Sequence, residues 1–383
     1  MSNKRLFWIF ALSSSVYFIQ GIESLPSQAL FYYLKENLGF SAEKIMFLGS
    51  IITFAWLVKP IIGYIIDRFF TKKTWIYIAL LLDIISVFIL GFFNLAVPII
   101  ILLILLNSSN SAFRDVSVDG IMCVEGKELS ATGRIQSVQW ISLSVASIIA
   151  GISGGYIAQR WDYKFAFLCL VPFYIICGVI AFFYKEKNVF KIKRDFKRDM
   201  QKLFSHKDLL IVALFIFLYK YSPSFGTPLF FIQRDVFKWS KLWIGFMATL
   251  SSLCEIIGAL FYYRFSQRIK IKKWLFFSVF LGAITTLSYL YYTPVSAVIY
   301  NIVYSVVGMF IFVMVLDFMA RNTIAGLEAT SFAFLCSVSN LAGSVSGFSG
   351  AILYPVVGLR WLIVISSLTS FLCLFLINKV DIK

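Results

Sequence analysis

Charge is scarce in this sequence. Of its 383 residues, 14% are charged and 60% are hydrophobic, whereas a soluble domain has about 25% charged and roughly 45–50% apolar residues. This deficit excludes an ordinary soluble globular protein. The hydrophobic residues come in repeated blocks of about 20, the length of a helix that crosses a bilayer. Backbone groups in such blocks must be satisfied within the segment, so the spans are expected to be helical.

The sequence also has little histidine and no closely spaced pair of cysteines. The one histidine, His206, excludes a histidine-rich metal site and a histidine proton relay inside the membrane. The six cysteines form no Cys-x-x-Cys pair, and we expect them to be apolar packing residues rather than disulfide partners or metal ligands. The sequence has no Ser-His-Asp set and no phosphate loop. We therefore expect no enzymatic activity, no cofactor and no metal site.

Acidic residues are fewer than basic residues, 19 against 35. In a soluble protein this excess favours nucleic-acid binding, but here most basic residues fall on one side of the hydrophobic blocks. The positive-inside rule then predicts that both termini are cytoplasmic. We expect no nucleic-acid partner and a multi-pass protein, with a bacterial inner membrane favoured over an organellar or plasma membrane. The cytoplasmic set is Lys4, Arg5, Arg68, Lys72, Lys73, Lys127, Arg134, the run Lys185 to Lys207, Arg264, Arg268, Lys270, Lys272, Lys273, Arg321, Lys379 and Lys383.

The hydrophobic blocks predict an all-α membrane protein with twelve transmembrane helices, six before and six after the basic segment 185–208. The first block, from Leu6, lacks a small-residue cleavage site and is therefore interpreted as a true span. The predicted domains are an N-terminal half (1–184), a basic cytoplasmic linker (185–208) and a C-terminal half (209–383). The predicted spans are 6–33, 43–66, 74–94, 96–119, 134–158, 163–184, 209–232, 242–264, 274–292, 295–318, 329–354 and 360–378.

Short motifs recur in the two halves at nearly one offset. Pro26-Ser27 matches Pro223-Ser224, and Gly151-Ile-Ser-Gly154 matches Gly347-Phe-Ser-Gly350. Gly63 likewise matches Gly258. The repeat makes Lys220 the counterpart of Glu23. The two are expected either to face one solute cavity or to form a static salt bridge.

A polar stripe follows one face of the first span. Its residues lie at helical spacings, and such a stripe must face protein or water rather than lipid. A solute cavity is the favoured interpretation, and hydrogen-bonded packing against a neighbouring helix is the alternative. The stripe consists of Gln20, Glu23, Ser24, Ser27 and Gln28.

Ionisable groups inside the other spans are costly and are therefore candidates for function. Lys59 lies deep in the second span and needs an anion. Asp115 and Asp119 share a helix face, so one of them is a candidate proton site unless Arg114 or Lys59 neutralises it; a charge network at the cytoplasmic rim is the alternative. Further candidates are Glu255 and Asn340 for the cavity, and Asp317, Arg321 and Glu328 for coupling or gating, with Asp317 and Arg321 expected to pair.

Two glycine patterns, Gly151-x-x-x-Gly155 and Gly343-x-x-x-Gly347, predict close helix approach. The segment Gly63-x-x-x-Asp67-Arg68 resembles the G-x-x-x-D-R-x-G-R-R loop of the major facilitator superfamily, with Phe70 in place of the second glycine. The resemblance implies a charge latch at Asp67 and Arg68 that opens as the halves move. Ordinary charge at a membrane boundary is the alternative.

Several short blocks are spread along nearly the whole chain: Gln20-Gly21, Trp56-x-x-Lys59-Pro60-x-x-Gly63, Asp115-Val-Ser-Val-Asp119, Ile135-Gln136-Ser137, Pro223-Ser224 and Glu328-Ala-Thr-Ser. Together they resemble the folate–biopterin transporter family, a branch of the major facilitator superfamily. The departures are Gly120, where the family usually has Ala, and Ala329, where it often has Gly.

The matched motifs of the two halves and this resemblance predict two six-helix pseudo-repeats, the architecture of the major facilitator type. The resemblance implies proton-linked uptake of a folate or pterin by a monomer. A muropeptide-permease-like or other organic-solute carrier, or a non-transporting sensor of the same fold, is the alternative.

Overall fold

The computed structural model describes residues 2–40, 55–56, 58–186 and 196–377, and within these ranges the chain is helical and has no strand. The prediction of an all-α protein is therefore confirmed. The core of the predicted basic linker, 187–195, and the C-terminal end from 378 lie outside the described residues. The same is true of 41–54 and 57, most of the second predicted span.

The chain divides into two compact units. The first is Met1–Arg194 with Ala325–Ala333, and the second is Asp195–Ile324 with Phe334–Lys383. The helices up to residue 186 are α1 Ser2–Ile22, α2 Ser27–Tyr32, α3 Lys59–Arg68, α4 Lys72–Phe92, α5 Val97–Glu128, α6 Thr132–Arg160, α7 Tyr163–Leu168 and α8 Val171–Phe183.

Short connections also join most of the helices after residue 195. Tyr33–Asn37 and Ile232–Val236 are π-helical continuations of α2 and α11. The helices are α9 Phe196–Ser205, α10 Lys207–Lys220, α11 Gly226–Phe231, α12 Lys241–Phe265, α13 Ile271–Ser288, α14 Pro294–Arg321, α15 Glu328–Ser370 and α16 Leu374–Ile377.

Nine helices in the described ranges are long and apolar enough to cross a membrane. Three predicted spans account for the difference from twelve, and one of them, the second, lies mostly outside the described residues. The 43 residues of α15 comprise two predicted spans joined at Gly358, whose φ of 71° is not helical. The seventh predicted span is broken between Lys220 and Gly226, and of the second only the end, α3, forms a described helix.

Side-chain caps mark several helix starts. The Thr71 hydroxyl accepts a hydrogen bond from the Thr74 amide at 3.1 Å, and Thr293 forms a reciprocal capping box with Ser296 at the start of α14. His206 Nδ1 accepts from the Leu209 amide at 3.3 Å. The one histidine of the sequence is thus a helix cap at the start of α10.

Both units place a glycine against the backbone beside a proline-broken helix. A Cβ at Gly154 would lie 2.7 Å from the Leu25 carbonyl oxygen, and one at Gly350 would collide with the Ser224 backbone. Leu25 precedes Pro26, and Ser224 follows Pro223. The matched motifs of the two halves therefore have matched packing roles.

The predicted glycine patterns were only partly right about which residue makes the close approach. No described atom lies within 4 Å of a Cβ built at Gly151, Gly343 or Gly347, whereas a Cβ built at Gly155 would lie 3.1 Å from the Gln28 side-chain oxygen. Each residue turns a helix by about 100°, so neighbouring glycines face different directions. The contact falls on Gly154 and Gly350, which the repeat identified but the four-residue spacing did not.

Candidate functional site

A cavity of about 400 Å³ opens in the first unit where the first helix breaks. Helix α1 ends at Ile22, four residues form turns, and α2 starts after Pro26. Proline removes a backbone donor and disfavours a continuous helix. The break thus turns polar groups toward the cavity. Its polar lining is Gln20, Glu23, Ser24, Ser27, Asn107, Ser108 and Ser111, and its larger apolar lining is Phe31, Trp56, Phe167, Leu170 and Tyr174.

Four of the five predicted stripe residues line this cavity. The fifth, Gln28, lies against Gly155. The Oε1 atom of Gln20 is buried and accepts no hydrogen bond from the described residues. The stripe therefore lines a cavity, as the favoured interpretation expects.

Glu23 is held from three directions. Its carboxylate pairs with the Arg114 guanidinium. It also accepts hydrogen bonds from the Ser111 hydroxyl at 2.7 Å and the Tyr174 hydroxyl at 3.1 Å. About 17% of the Glu23 side chain is exposed, against 1% for Arg114. Glu23 is thus the accessible edge of a buried network.

Arg114 also pairs with Asp83 on α4. Asp83 is fully buried and accepts a further hydrogen bond from the Asn110 amide at 2.9 Å. The cluster of Glu23, Asp83 and Arg114 contains two carboxylates and one guanidinium. A charge as deeply buried as Asp83 needs such a partner, because an isolated ion in the interior is very costly.

A second ionic cluster lies further along α5. Lys59 Nζ is 2.7 Å from Asp115 Oδ2 and 4.3 Å from the Trp56 ring centre. Asp119 instead accepts hydrogen bonds from the Tyr17 hydroxyl at 2.9 Å and the Gln139 amide at 3.2 Å. Lys59 therefore neutralises Asp115, whereas the hydrogen bonds to Asp119 come from uncharged donors.

Asp67 binds the start of α15. Its Oδ2 accepts from the Thr330 amide at 2.8 Å and the Thr330 hydroxyl at 2.7 Å. Lys72 Nζ lies 3.6 Å from the other carboxylate oxygen. A carboxylate at a helix N-terminus satisfies an unpaired amide and complements the helix dipole. The Glu328 side chain lies at the first residue of the same helix and accepts from the Gly326 amide at 2.8 Å.

The turn after Asp67 has a backbone conformation that favours glycine. Phe70, which stands in place of the second glycine of the G-x-x-x-D-R-x-G-R-R pattern, has a φ of 49°, in the left-handed region. Its ring lies 5.7 Å from that of Trp75, whose Nε1 donates to the Phe69 carbonyl at 2.8 Å. Arg68 donates to the Tyr64 hydroxyl at 3.1 Å. Aromatic contacts therefore stabilise a turn that the sequence disfavours locally.

The two departures from the family pattern are in contact. A Cβ at Gly120 would lie 2.9 Å from the Ala329 Cβ and 2.7 Å from the Lys72 Cε. The resemblance implies Ala at position 120 and Gly at position 329, and this chain has the reverse, Gly120 and Ala329. With Gly at 120 and Ala at 329, the contact between the two residues holds one methyl group, and a second would be too close to it.

In the second unit, the predicted pair of Asp317 and Arg321 is confirmed, with contacts of 3.1 and 2.9 Å. The Tyr262 hydroxyl donates to the same carboxylate at 2.7 Å. Lys220, the last residue of α10, lies with Nζ 4.8 Å from the Phe312 ring centre. Glu255 is half-buried on α12, and Asn340 is exposed on α15.

The sequence model of the BT1 family matches residues 20–380. This chain belongs to the BT1 family. It is 24% identical over 395 residues to the "Folate-biopterin transporter" of Synechocystis sp., covering 95% of this chain and 80% of that protein. It is also 24% identical over 393 residues to "Folate transporter 1" of Plasmodium falciparum, covering 95% and 77%.

Solved structures share the fold of this BT1-family chain. A structure of the E. coli fucose:proton symporter FucP aligns with a TM-score of 0.73 at 12% identity, covering 97% of this chain and 98% of FucP. The human organic anion transporter MFSD10 (TETRAN) aligns with a TM-score of 0.71 at 15% identity, covering 98% and 99%. The predictions of the folate–biopterin family, the major facilitator fold and a non-enzymatic transporter are therefore confirmed.

Some contacts of this BT1-family site were not predicted. Asn107, Asn110, Ser111 and Arg114 lie at helical spacings on one face of α5, a signal that the sequence contained. Tyr174 gave no such signal, because an isolated tyrosine in an apolar helix resembles its neighbours. Its contact with Glu23 depends on how α8 packs against α1.

The contact between Gly120 and Ala329 generates a prediction for packing. Gly120→Ala is expected to lower stability by roughly 1–3 kcal/mol, because the added methyl group overfills the contact. Gly120→Ala combined with Ala329→Gly restores the space and should melt at a higher temperature than Gly120→Ala alone. Melting temperatures of the wild type, both single variants and the double variant in detergent measure this coupling. Strictly additive shifts would show that the two residues do not compensate.

The network around Arg114 generates a second prediction. Arg114→Gln leaves Asp83 buried without its cation and is expected to cost about 3–5 kcal/mol of stability. Asp83→Asn in the same chain should recover part of this loss, because it removes the fully buried carboxylate that has lost its cation. Melting temperatures report both effects, and Arg160→Gln on the exposed end of α6 is the matched control. Equal melting temperatures for Arg114→Gln and Arg160→Gln would contradict the assigned role.

Proposed function

We propose that this chain is a secondary active transporter that takes up folate or a pterin-like solute together with protons, by alternating access. The observation that carries the proposal is the cavity of the first unit, where the Glu23 carboxylate is held by Arg114 and remains partly exposed. The names of the relatives from Synechocystis sp. and Plasmodium falciparum supply the solute class.

The cavity lining suits a flat, polar heterocycle. A pterin ring offers amide and amino groups that donate to a carboxylate such as Glu23, and Gln20 lines the same cavity. The aromatic rings of Phe31 and Trp56 offer faces for stacking. Ser27 adds a hydroxyl at the break. We assign to these residues the recognition of the ring, and to Lys220 and Lys59 the neutralisation of solute carboxylates.

The second ionic cluster supplies a candidate for proton coupling. Asp115 has Lys59 at 2.7 Å, whereas the hydrogen bonds to Asp119 come from Tyr17 and Gln139. A buried carboxylate whose hydrogen bonds come from uncharged donors gains most from taking up a proton. We therefore assign the transported proton to Asp119, with Asp115 and Lys59 as its electrostatic neighbours.

Gating is assigned to ionic contacts at the helix ends. These are the hydrogen bonds of Asp67 to Thr330, the neighbouring Arg68 and Glu328, and the pair of Asp317 and Arg321. Each consists of a few charged contacts that a movement of the helices can exchange. The arrangement is proposed for a monomer with both termini in the cytoplasm.

The assignment of Glu23 predicts a loss of uptake. Glu23→Gln is expected to reduce uptake of labelled folate or biopterin by proteoliposomes at least tenfold, because the amide loses the charge that Arg114 and the solute share. Glu128→Gln, a partly exposed carboxylate in the same unit, is the matched control and should transport normally. Size-exclusion profiles verify that both variants fold.

The same assay discriminates among the candidate solutes. Uptake of a labelled anhydromuropeptide in place of folate and biopterin would favour the muropeptide-permease-like alternative. Absence of uptake of all three by the folded wild-type protein would overturn the transporter proposal. Normal folate or biopterin uptake by Glu23→Gln would remove Glu23 from the mechanism.

The assignment of Asp119 predicts a change in pH dependence. In the wild type, a more acidic outside medium should increase concentrative uptake, because protonation of Asp119 accompanies solute entry. Asp119→Asn resembles the protonated form at every pH and should lose this dependence while retaining solute exchange at equal pH on both sides. Asp162→Asn, which keeps a capping side chain at the start of α7, is the control. Concentrative, pH-driven uptake by Asp119→Asn would contradict the assignment.

A further inference from the structure

A second cavity, of about 450 Å³, lies in the second unit among α12, α13 and α14. It contains none of the residues assigned to the solute. Its walls are mostly apolar and aromatic, and four of its aromatic side chains are between 42% and 55% exposed: Phe261, Phe265, Trp274 and Phe277. The cavity is therefore a groove that opens sideways on the apolar surface of the unit.

A cation lines one end of this groove. Arg268 lies in the connection between α12 and α13, is exposed, and forms no ion pair with a described residue. The connection is ordered by backbone hydrogen bonds from the Arg268 amide to the Phe265 carbonyl at 2.8 Å and from the Trp274 amide to the Lys270 carbonyl at 3.2 Å. Arg268 is thus held beside the mouth of the groove.

The charge around Arg268 has one sign. Residues 264–273 contain five basic and no acidic residues: Arg264, Arg268, Lys270, Lys272 and Lys273. Trp274 follows at once, and its ring packs 5.7 Å from that of Phe310 in the groove wall. Tryptophan is enriched at the level of the lipid head groups, with its ring partly in the apolar layer. The order of basic cluster, tryptophan and apolar groove matches the order of layers in a bilayer leaflet.

We propose that this groove is a binding site for an anionic glycerophospholipid. The phosphate of the head group pairs with Arg268, whose guanidinium can donate two parallel hydrogen bonds to it. The flanking lysines attract the negative charge, and an acyl chain lies along Phe265, Phe277 and Phe310. Basic pockets at the ends of transmembrane helices are known to recognise anionic head groups in this way. The volume falls within the roughly 300–1,000 Å³ of ligand pockets.

The groove distinguishes a lipid from a free phosphate. A free phosphate uses only the cluster and gains nothing from the aromatic walls. A zwitterionic lipid uses the walls and also carries a phosphate, but the five basic residues repel its choline cation. An anionic lipid satisfies both parts of the site without that repulsion.

Titration of the delipidated, purified protein in detergent, followed by native mass spectrometry, tests the proposal. The probes are phosphatidylglycerol, phosphatidylcholine with the same acyl chains, and glycerol 3-phosphate. Phosphatidylglycerol should form a saturable one-to-one adduct at lower concentration than phosphatidylcholine, and glycerol 3-phosphate should form none. Arg268→Gln should weaken the phosphatidylglycerol adduct about fivefold, the effect of one basic residue near an anionic lipid.

Arg360→Gln is the matched control, because Arg360 is an exposed arginine of the same unit outside the groove. It should leave the adduct unchanged. Equal affinity for the two lipids, equal affinity of wild type and Arg268→Gln, or saturable binding of glycerol 3-phosphate alone would each overturn the proposal. Uptake of folate is not involved in this measurement, so its outcome is independent of the proposed transport function.

Discussion

The first unit depends on one guanidinium. Arg114 lies between Asp83 on α4 and Glu23 at the break after α1, and it is almost completely buried. The fully buried Asp83 carboxylate is not stable at that depth without it. The pairing fixes the position of the broken first helix relative to α4 and α5, and it leaves one carboxylate at the cavity surface. The Arg114 cluster thus stabilises the helix packing and also positions the Glu23 carboxylate.

The break in the first helix recurs in the second unit, and the two breaks are stabilised in the same manner. Gly154 and Gly350 allow their helices to pack closely against the backbone beside Pro26 and Pro223. A side chain at either glycine would separate these helices. The pseudo-repeat is therefore a repeat of packing as well as of sequence. What differs is the charge at the break, which is Glu23 in one unit and Lys220 in the other.

The fold was predictable because hydrophobic length and the repeated motifs can both be recognised along the chain. The same local information predicted the polar stripe and the pair of Asp317 and Arg321, since helical spacing fixes which residues share a face. The partners of Glu23 and Asp119 were not predicted. Tyr174, Tyr17 and Gln139 reach them from other helices, and helix–helix register depends on packing that no single segment encodes. For the same reason the glycine spacing did not identify which glycine makes contact.

Solute recognition is assigned to the cavity lined by Glu23, whose carboxylate is paired with the buried Arg114. A cryo-electron-microscopy structure of the protein with bound biopterin tests this claim most directly. We expect the pterin ring to lie within hydrogen-bond distance of the Glu23 carboxylate and of Gln20, beside Trp56, with Arg114 still paired to Asp83. A pterin bound elsewhere, with Glu23 paired only to Arg114, Ser111 and Tyr174, would contradict it.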